Sequence, residues 1–302
     1  MTKVLTPELL AQAQRGLRAL YLKQFEAATE SPWESLFTRY TDAGHAENYT
    51  MLGAVSQLRE WTGAREFETR RIDGLTVITR EYDTAYDVPM IDVQREQLGK
   101  HSTWISAAAK RAATFMVPLV RELLANGTSA AKARCWDGKP LFSTSHGVGK
   151  GTGQSNIITG SGIATVEAVG ADIEQAISAG STFRDDKGLY IQQVEYNTAI
   201  YPAGNAALGG LLRTMIQDRV ELGSASYSGL LKSVIACPEL TGNTWYLAAG
   251  GGTERPFGWQ EELPPTPEQS EDFDTRSLKF AVHASGAAFC SDWTCIVQIA
   301  NS

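Results

Sequence analysis

The chain has 302 residues, 43% hydrophobic and 20% charged, and carries a net charge of −7. That length and mix suffice for one large core or two smaller ones and exclude a disordered chain. The acidic balance argues against a surface built to neutralise a nucleic-acid backbone and leaves any contact with DNA weak, non-specific or local.

Residues 6–29 place Leu9, Leu10, Ala13, Leu17, Leu20, Tyr21 and Phe25 at helical spacing behind Thr6, a good N-cap before Pro7. One amphipathic helix is expected. The stretch that follows, to about Leu58, carries the aromatics Trp33, Phe37, Tyr40 and Tyr49 without a sustained period. Aromatic rings in irregular backbone need a cover, and a neighbouring molecule is one candidate.

From Arg65 to Met90 the pattern turns to β, with Asp73-Gly74 read as a two-residue hairpin turn and a weaker turn at Asp83-Thr84. The ribbon bears Arg65, Glu66, Glu68, Arg70, Arg71, Arg80 and Glu81, so neither face is cleanly apolar. Two-stranded ribbons are marginal in water, so this one is expected to project and lie against something else.

Lys100 to Asn126 reads as one long helix, striped by Trp104, Ile105, Ala108, Ala112, Phe115, Met116, Leu119, Val120 and Leu123 and bent or interrupted at Pro118. Further on, 165–179 and 206–218 read as helices. The Phe183–Gly204 stretch reads as strands around an Asp-Asp-Lys-Gly turn, and "SVIACP" and "NTWYLAA" as short buried strands. The Pro- and acid-rich segment from Glu262 to Thr275 reads as a surface connection, and the C-terminus as strands broken around Ser285-Gly286 and Ser291-Asp292.

The sequence offers little chemistry. "FSTSHGVGKGTGQS", Phe142 to Ser155, is rich in glycine but fails as a phosphate loop, because Gly149-Lys150 is followed by Gly151 and Thr144 stands where the first glycine should be. Ser143, Ser145, His146 and Asp137 have the residue types of a hydrolase, yet lie too close in one loop and lack a G-x-S-x-G elbow. The carboxylates of "EQSEDFD" have no apolar setting and read as solvated charge. Cys135, Cys237, Cys290 and Cys295 show no C-x-x-C spacing; they read as reduced core thiols, not as a metal site with His283. No cofactor is called for. The longest apolar runs, such as Ala112 to Val120, are too short to cross a bilayer, and the N-terminus has no secretory pattern, so no membrane contact and a cytoplasmic origin are expected.

The order of parts, an arm, a charged hairpin, a long helix, a mixed middle and final strands, resembles the capsid fold named after phage Hong Kong 97. Glu60-Trp61-Thr62-Gly63 before the loop and the run from Asp137-Gly138 to His146 after the helix resemble the major head subunit of Mu-type phages and prophages, with the likeness spanning about Tyr49 to Gly162. That resemblance implies an α+β fold divided into an N-terminal arm (1–58), an extended loop (59–91), a peripheral domain with its spine helix (92–150), an axial domain (151–275) and returning C-terminal strands (276–302). It implies a non-enzymatic subunit that assembles with itself, as hexameric and pentameric capsomers, into a DNA-filled icosahedral head in the virion, built in the cytoplasm of a bacterial host.

Scaffold, portal and cement proteins are the implied partners. Contacts between subunits would fall on the charged loop residues and, in the arm, on Leu17, Tyr21, Phe25, Trp33 and Phe37. Removing residues 1–48 would then leave a folded body. Two other readings stay open: the shell of a cargo-storing compartment of the same fold, and a hydrolase using the 142–155 loop.

Some shells of this fold join a loop lysine to a neighbour's asparagine. Between Lys23 and Lys100 this chain has no lysine and seven arginines, Arg39, Arg59, Arg65, Arg70, Arg71, Arg80 and Arg95. Arginine stays protonated and cannot attack, while its planar fork suits carboxylates. Mature particles are therefore expected to run as a single band near 32.8 kDa on a reducing denaturing gel. A ladder that survives boiling would contradict this.

Overall fold

The structure is a computed structural model that describes residues 6–28, 31–52, 72–95, 97–147, 149–191, 194–216, 221–222, 225–226, 231–272 and 274–301. Helix α1 spans Pro7–Glu26, and its first turn is closed by Thr6, whose hydroxyl accepts the Leu9 N–H at 3.3 Å. A 3-10 turn at Pro32–Leu36 leads into strand β1 (Phe37–Tyr40), followed by β2 (Ala46–Leu52), β3 (Ile72–Ile78) and β4 (Arg80–Pro89). Three helices follow: α2 (Met90–Gln94), α3 (Gly99–Ala113) and α4 (Met116–Ala125). The long helix expected from sequence is thus interrupted, and the break falls at Thr114–Phe115. Pro118 has no N–H to offer the Thr114 carbonyl and its ring crowds that oxygen, whereas in the first turn of α4 the missing donor costs nothing.

The second half holds β5 (Ile157–Thr159), α5 (Val166–Ser181), β6 (Tyr196–Pro202), α6 (Ala206–Thr214), the short β7 (Glu221–Leu222) and β8 (Ala225–Ser226), β9 (Ser233–Cys237), β10 (Trp245–Ala249), β11 (Phe257–Asp272), β12 (Ser277–Cys290) and β13 (Ile296–Ala300). Two main sheets result. One has the order β1-β11-β12-β4, with β1 parallel to β11 and the other pairs antiparallel; the other is mixed, in the order β5-β13-β10-β6-β9. All seven residues of β6 are buried, because that sheet is covered on both faces.

The apolar side chains gather in two cores. In the smaller, α1 and α3 lie on one face of the four-stranded sheet, where Leu10, Leu17 and Tyr21 meet Ile105, Val88, Leu278 and Phe280. The larger joins α4, α5 and the five-stranded sheet, and also takes in Trp33, Phe37, Phe257 and Trp259. Glycine makes one junction possible: at Gly286 of β12 a Cβ would overlap the Trp259 ring.

Several expectations need correction. Asp73-Gly74 is no turn: β3 runs through it, with Gly74 opposite Thr50 and Asp73 opposite Met51 of β2. The dipeptide marks a hairpin only when its own flanks pair, and here the partner strand lies upstream. Asp83-Thr84 lies within β4, opposite His283 and Val282, and Ser285-Gly286 lies within β12. The Pro-rich segment is not a connection but most of β11. It occupies a position where proline is tolerated, since beyond Gln260 no strand of the described residues pairs with its outer edge and register shifts flank Leu263. The aperiodic stretch before Leu58 supplies β1 and β2.

The arm is also no detachable tail. Tyr21 is 0% exposed, with its ring 5.8 Å from those of both Phe25 and Phe280, and β1 is a strand of the main sheet. Deleting 1–48 is therefore expected to unfold the body. Among the described residues the Tyr21 hydroxyl has no partner. Tyr21→Ala should lower the unfolding free energy by about 3–5 kcal/mol in urea melts, whereas Tyr21→Phe, which removes only an unsatisfied hydroxyl, should be neutral or slightly stabilising. Equal stability of Tyr21→Ala and the parent chain would refute the packing.

Candidate functional site

Of the loop residues expected at subunit contacts, Arg80 and Glu81 open β4, exposed and opposite Gly286 and Ser285. Arg65, Glu66, Glu68, Arg70 and Arg71 lie outside the described residues. Among the described residues, the ribbon formed by β2 and β3 pairs with no other strand. Its root is fastened in two ways. Tyr49 stacks on Phe289 at 4.3 Å and packs against Tyr40 at 4.9 Å. Thr79, just beyond β3, hydrogen-bonds Glu262 of β11, which also accepts from Ser285 at 2.7 Å. Those two hydroxyls, ahead of nearby His45, hold the Glu262 carboxyl below its ordinary range.

The expected arm contacts lie elsewhere than on a free surface. Leu17 and Tyr21 are buried in the smaller core, with Phe25 half-buried beside them, and Trp33 and Phe37 are buried in the larger core. Their cover is their own chain. The apolar spacing correctly marks a buried face, but spacing does not say whose surface buries it.

The glycine-rich loop binds no phosphate in this geometry; it packs on another loop. Gly147, Gly149 and Gly153 have positive φ of 94°, 61° and 81°. A Cβ at Gly149 would strike the Asp186 carbonyl, and the Lys150 N–H donates to that same carbonyl at 2.9 Å. Bare backbone is needed for this approach. Gln154 completes the seam, its Nε2 donating to Arg184 O at 2.8 Å and its Oε1 accepting the Arg184 N–H at 2.6 Å.

His146 is buried at the base of the loop. Its Nδ1 lies 2.7 Å from Asp137 Oδ2 and its Nε2 3.2 Å from the Leu141 carbonyl, while its ring stacks on Trp293 at 4.4 Å and 4°. Both ring nitrogens face acceptors of the chain's own loop, so neither is presented to a serine hydroxyl or a substrate. Ser143 and Ser145 face each other, not the imidazole. The hydrolase reading therefore fails on geometry. What the sequence does not reveal is the neighbouring fixture, Asn156: its Nδ2 donates to Leu141, Trp293 and Ile296 carbonyls at 2.8–3.3 Å and its Oδ1 accepts the Ser143 N–H. A lone Asn in a polar loop carries no signal for this.

No group of three His, Cys, Asp or Glu side chains among the described residues could hold a metal ion. All four cysteines are free and buried. A hydrogen bond with Cys290, then burial, pushes the Cys135 thiol well up, and burial does the same for Cys295. No helix of the described residues is long and apolar enough to cross a membrane.

Two aspartates here end on opposite sides of the ordinary carboxylate range. At Asp137 burial pushes the pKa up, but the His146 bond and charge, with the N–H groups of Gly147 and Lys139, outweigh it and hold the carboxyl below its ordinary range. That stabilisation is complete above the unfolded pKa of about 3.9 and drains as the pH falls through the lower folded value. At Asp292 burial wins and pushes the pKa up to about 6. The folded chain then keeps a proton that the unfolded chain has lost, so this group weakens folding as the pH rises from about 4 to about 6. Asp292 keeps part of its surface in water, which limits the cost to roughly 1 kcal/mol. Thermal melts at pH 7 should therefore show Asp137→Asn destabilised by about 3 kcal/mol. Asp292→Asn, which retains the oxygen that accepts the Thr294 N–H, should be stabilised at pH 7, with the gain gone at pH 4. Shifts of the same sign would contradict this account.

The family described as Mu-like prophage major head subunit gpT matches residues 10–167. The Mu-like prophage FluMu major head subunit of Haemophilus influenzae is 25% identical over 158 residues, covering 50% of this chain and 49% of that protein. The chain spans about half the length of the relatives it matches. The procapsid of bacteriophage JBD30 aligns with a TM-score of 0.57 and 16% identity over 99% of this chain and 77% of that one. The virus-like particle from Pyrococcus furiosus gives 0.53 and 12% over 95% and 98%. At such identities the likeness shows the fold alone, the α+β Hong Kong 97-like capsid fold. Because the family match covers more than half of its residues, the chain belongs to the Mu-like prophage major head subunit family.

Proposed function

We propose that the chain is the head-shell subunit of a tailed phage or prophage, closing with copies of itself into an icosahedral particle around double-stranded DNA. The observation that carries this reading, beside family membership, is the ribbon of β2 and β3: among the described residues it pairs with neither main sheet and is tied to the body through Tyr49 and the neighbouring Thr79. A two-stranded ribbon is marginal by itself, and a neighbouring subunit supplies the surface it lacks. The charged residues Arg65, Glu66, Glu68, Arg70, Arg71, Arg80 and Glu81 are its proposed contacts, as ion pairs that count through many symmetric copies. The groove between α3 and the four-stranded sheet, lined by Trp104, Phe115, Leu119 and Val282, is the proposed seat for a neighbour's ribbon.

In this reading the four-stranded sheet with α1 to α3 is the peripheral domain and the five-stranded sheet with α5 and α6 is the axial domain. Hexameric and pentameric capsomers, a scaffold, a portal and a cement protein complete the assembly, built in the host cytoplasm and retained in the virion. A compartment that stores cargo is the competing reading; family membership favours the phage head.

Expressed alone, the chain should form closed shells or capsomers visible by negative-stain microscopy and sizing. A stable, monodisperse monomer at micromolar concentration would refute the proposal, and particles enclosing an enzyme instead of DNA in the native host would favour the competing one.

A further inference from the structure

The peripheral body is a two-layer slab with opposite charge on its two faces. On the helical side, α1 buries Leu10, Ala13, Leu17 and Tyr21 and turns Arg15, Arg18 and Lys23 outward, with its acids, Glu8 and Glu26, confined to the ends. From Arg15 to Lys23 these cations span about 12 Å of helix. Helix α3 contains no acidic residue and exposes Lys100, Lys110 and Arg111 at helical spacing opposite its buried Ile105 and Ala109. Lys100 is paired with Asp92 at 3.6 Å, but Arg15, Arg18, Lys23, Lys110 and Arg111 have no ion pair among the described residues.

The other side of the slab is the bare face of the sheet. There Asp83 and Asp87 of β4 and Glu268 of β11 are exposed, and the one lysine, Lys279, is taken by Asp272 at 2.6 Å. In a chain of net charge −7, a broad face with five unpaired cations and acids only at its rim is not what random placement gives.

We propose that the outer face of α1 and α3 is the luminal surface of the shell and binds the phosphate backbone of packaged duplex DNA without regard to sequence. The assignment rests on the head-shell reading. In a shell one subunit thick, slabs meet edge to edge, so one broad face of each lines the interior and the other faces out. Docking the basic face on a second copy's acidic face would stack slabs instead of tiling them. Unpaired, solvated Arg and Lys side chains suit a backbone contact that releases counterions. The face then offsets the acidity of the rest of the chain where the polyanion lies.

The test uses the full chain, kept unassembled, and a fluorescein-labelled mixed-sequence duplex, with binding followed by anisotropy from 50 to about 200 mM salt. A variant with Arg15→Gln, Arg18→Gln, Lys110→Gln and Arg111→Gln should bind at least about tenfold more weakly. Its plot of log affinity against log salt should flatten by about 0.9 for each phosphate that is no longer neutralised. A control that removes the same charge elsewhere, Lys132→Gln, Arg134→Gln, Lys139→Gln and Lys150→Gln, should keep the parent slope. Equal weakening in both variants would mean that binding follows net charge alone and would overturn the proposal, as would an unchanged slope in the first. Negative-stain images of the same proteins separate the two readings. A parent chain that forms no shells refutes the head-shell reading. Shells that form with an unchanged slope refute only the luminal face. Absence of shells with DNA binding intact in the first variant would reassign the face to subunit contacts.

Discussion

The antiparallel pairing of β11 with β12, from Phe257 opposite Cys290 to Asp272 opposite Ser277, is the constraint on which the molecule depends. At one end this hairpin enters the larger core through Phe257, Trp259 and Cys290; at the other it carries β4 and forms the floor on which α1 and α3 pack. The ribbon is tied to its middle through Glu262, Ser285 and Phe289. Losing the pairing would part the two cores and release the ribbon together. Its register shifts near Leu263 bend the hairpin where the ribbon is attached.

Polar groups fix the second junction. Asp137, His146 and Asn156 bind the loop after α4 to the segment at Trp293, so the C-terminal strand is set against the segment that leads into β5. A buried ion pair is a poor source of net stability, but breaking one partner is costly, which makes such a site specific about what it joins. The residue types that suggest catalysis here are used to hold loops in place. This agrees with a protein whose work is to present surfaces.

Those surfaces differ in kind. The apolar faces of α1 and of the 3-10 turn at Trp33 are spent inside the chain, leaving the charged faces, the ribbon and the groove beside α3 for other molecules.

What the sequence by itself determined is local. The cap at Thr6, the stripe of α1, the interruption before Pro118, the strands at Ser233–Cys237 and Trp245–Ala249, of which only the second is buried throughout, and the failure of the phosphate motif all rest on neighbours a few residues apart, where spacing and backbone chemistry decide. The motifs around Trp61 and Asp137 added the family. What only the tertiary structure decided depends on partners far away in the chain. Asp73-Gly74 is strand because β2 lies beside it, Pro264 to Pro267 are strand because an edge does not need their N–H groups, and Leu17, Tyr21, Trp33 and Phe37 are core because β12 and β11 supply the floor. His146 is a clamp instead of a base because Leu141 and Asp137 occupy both its nitrogens. A hydrophobic or polar pattern states what a side chain needs; only the folded chain states which surface meets that need.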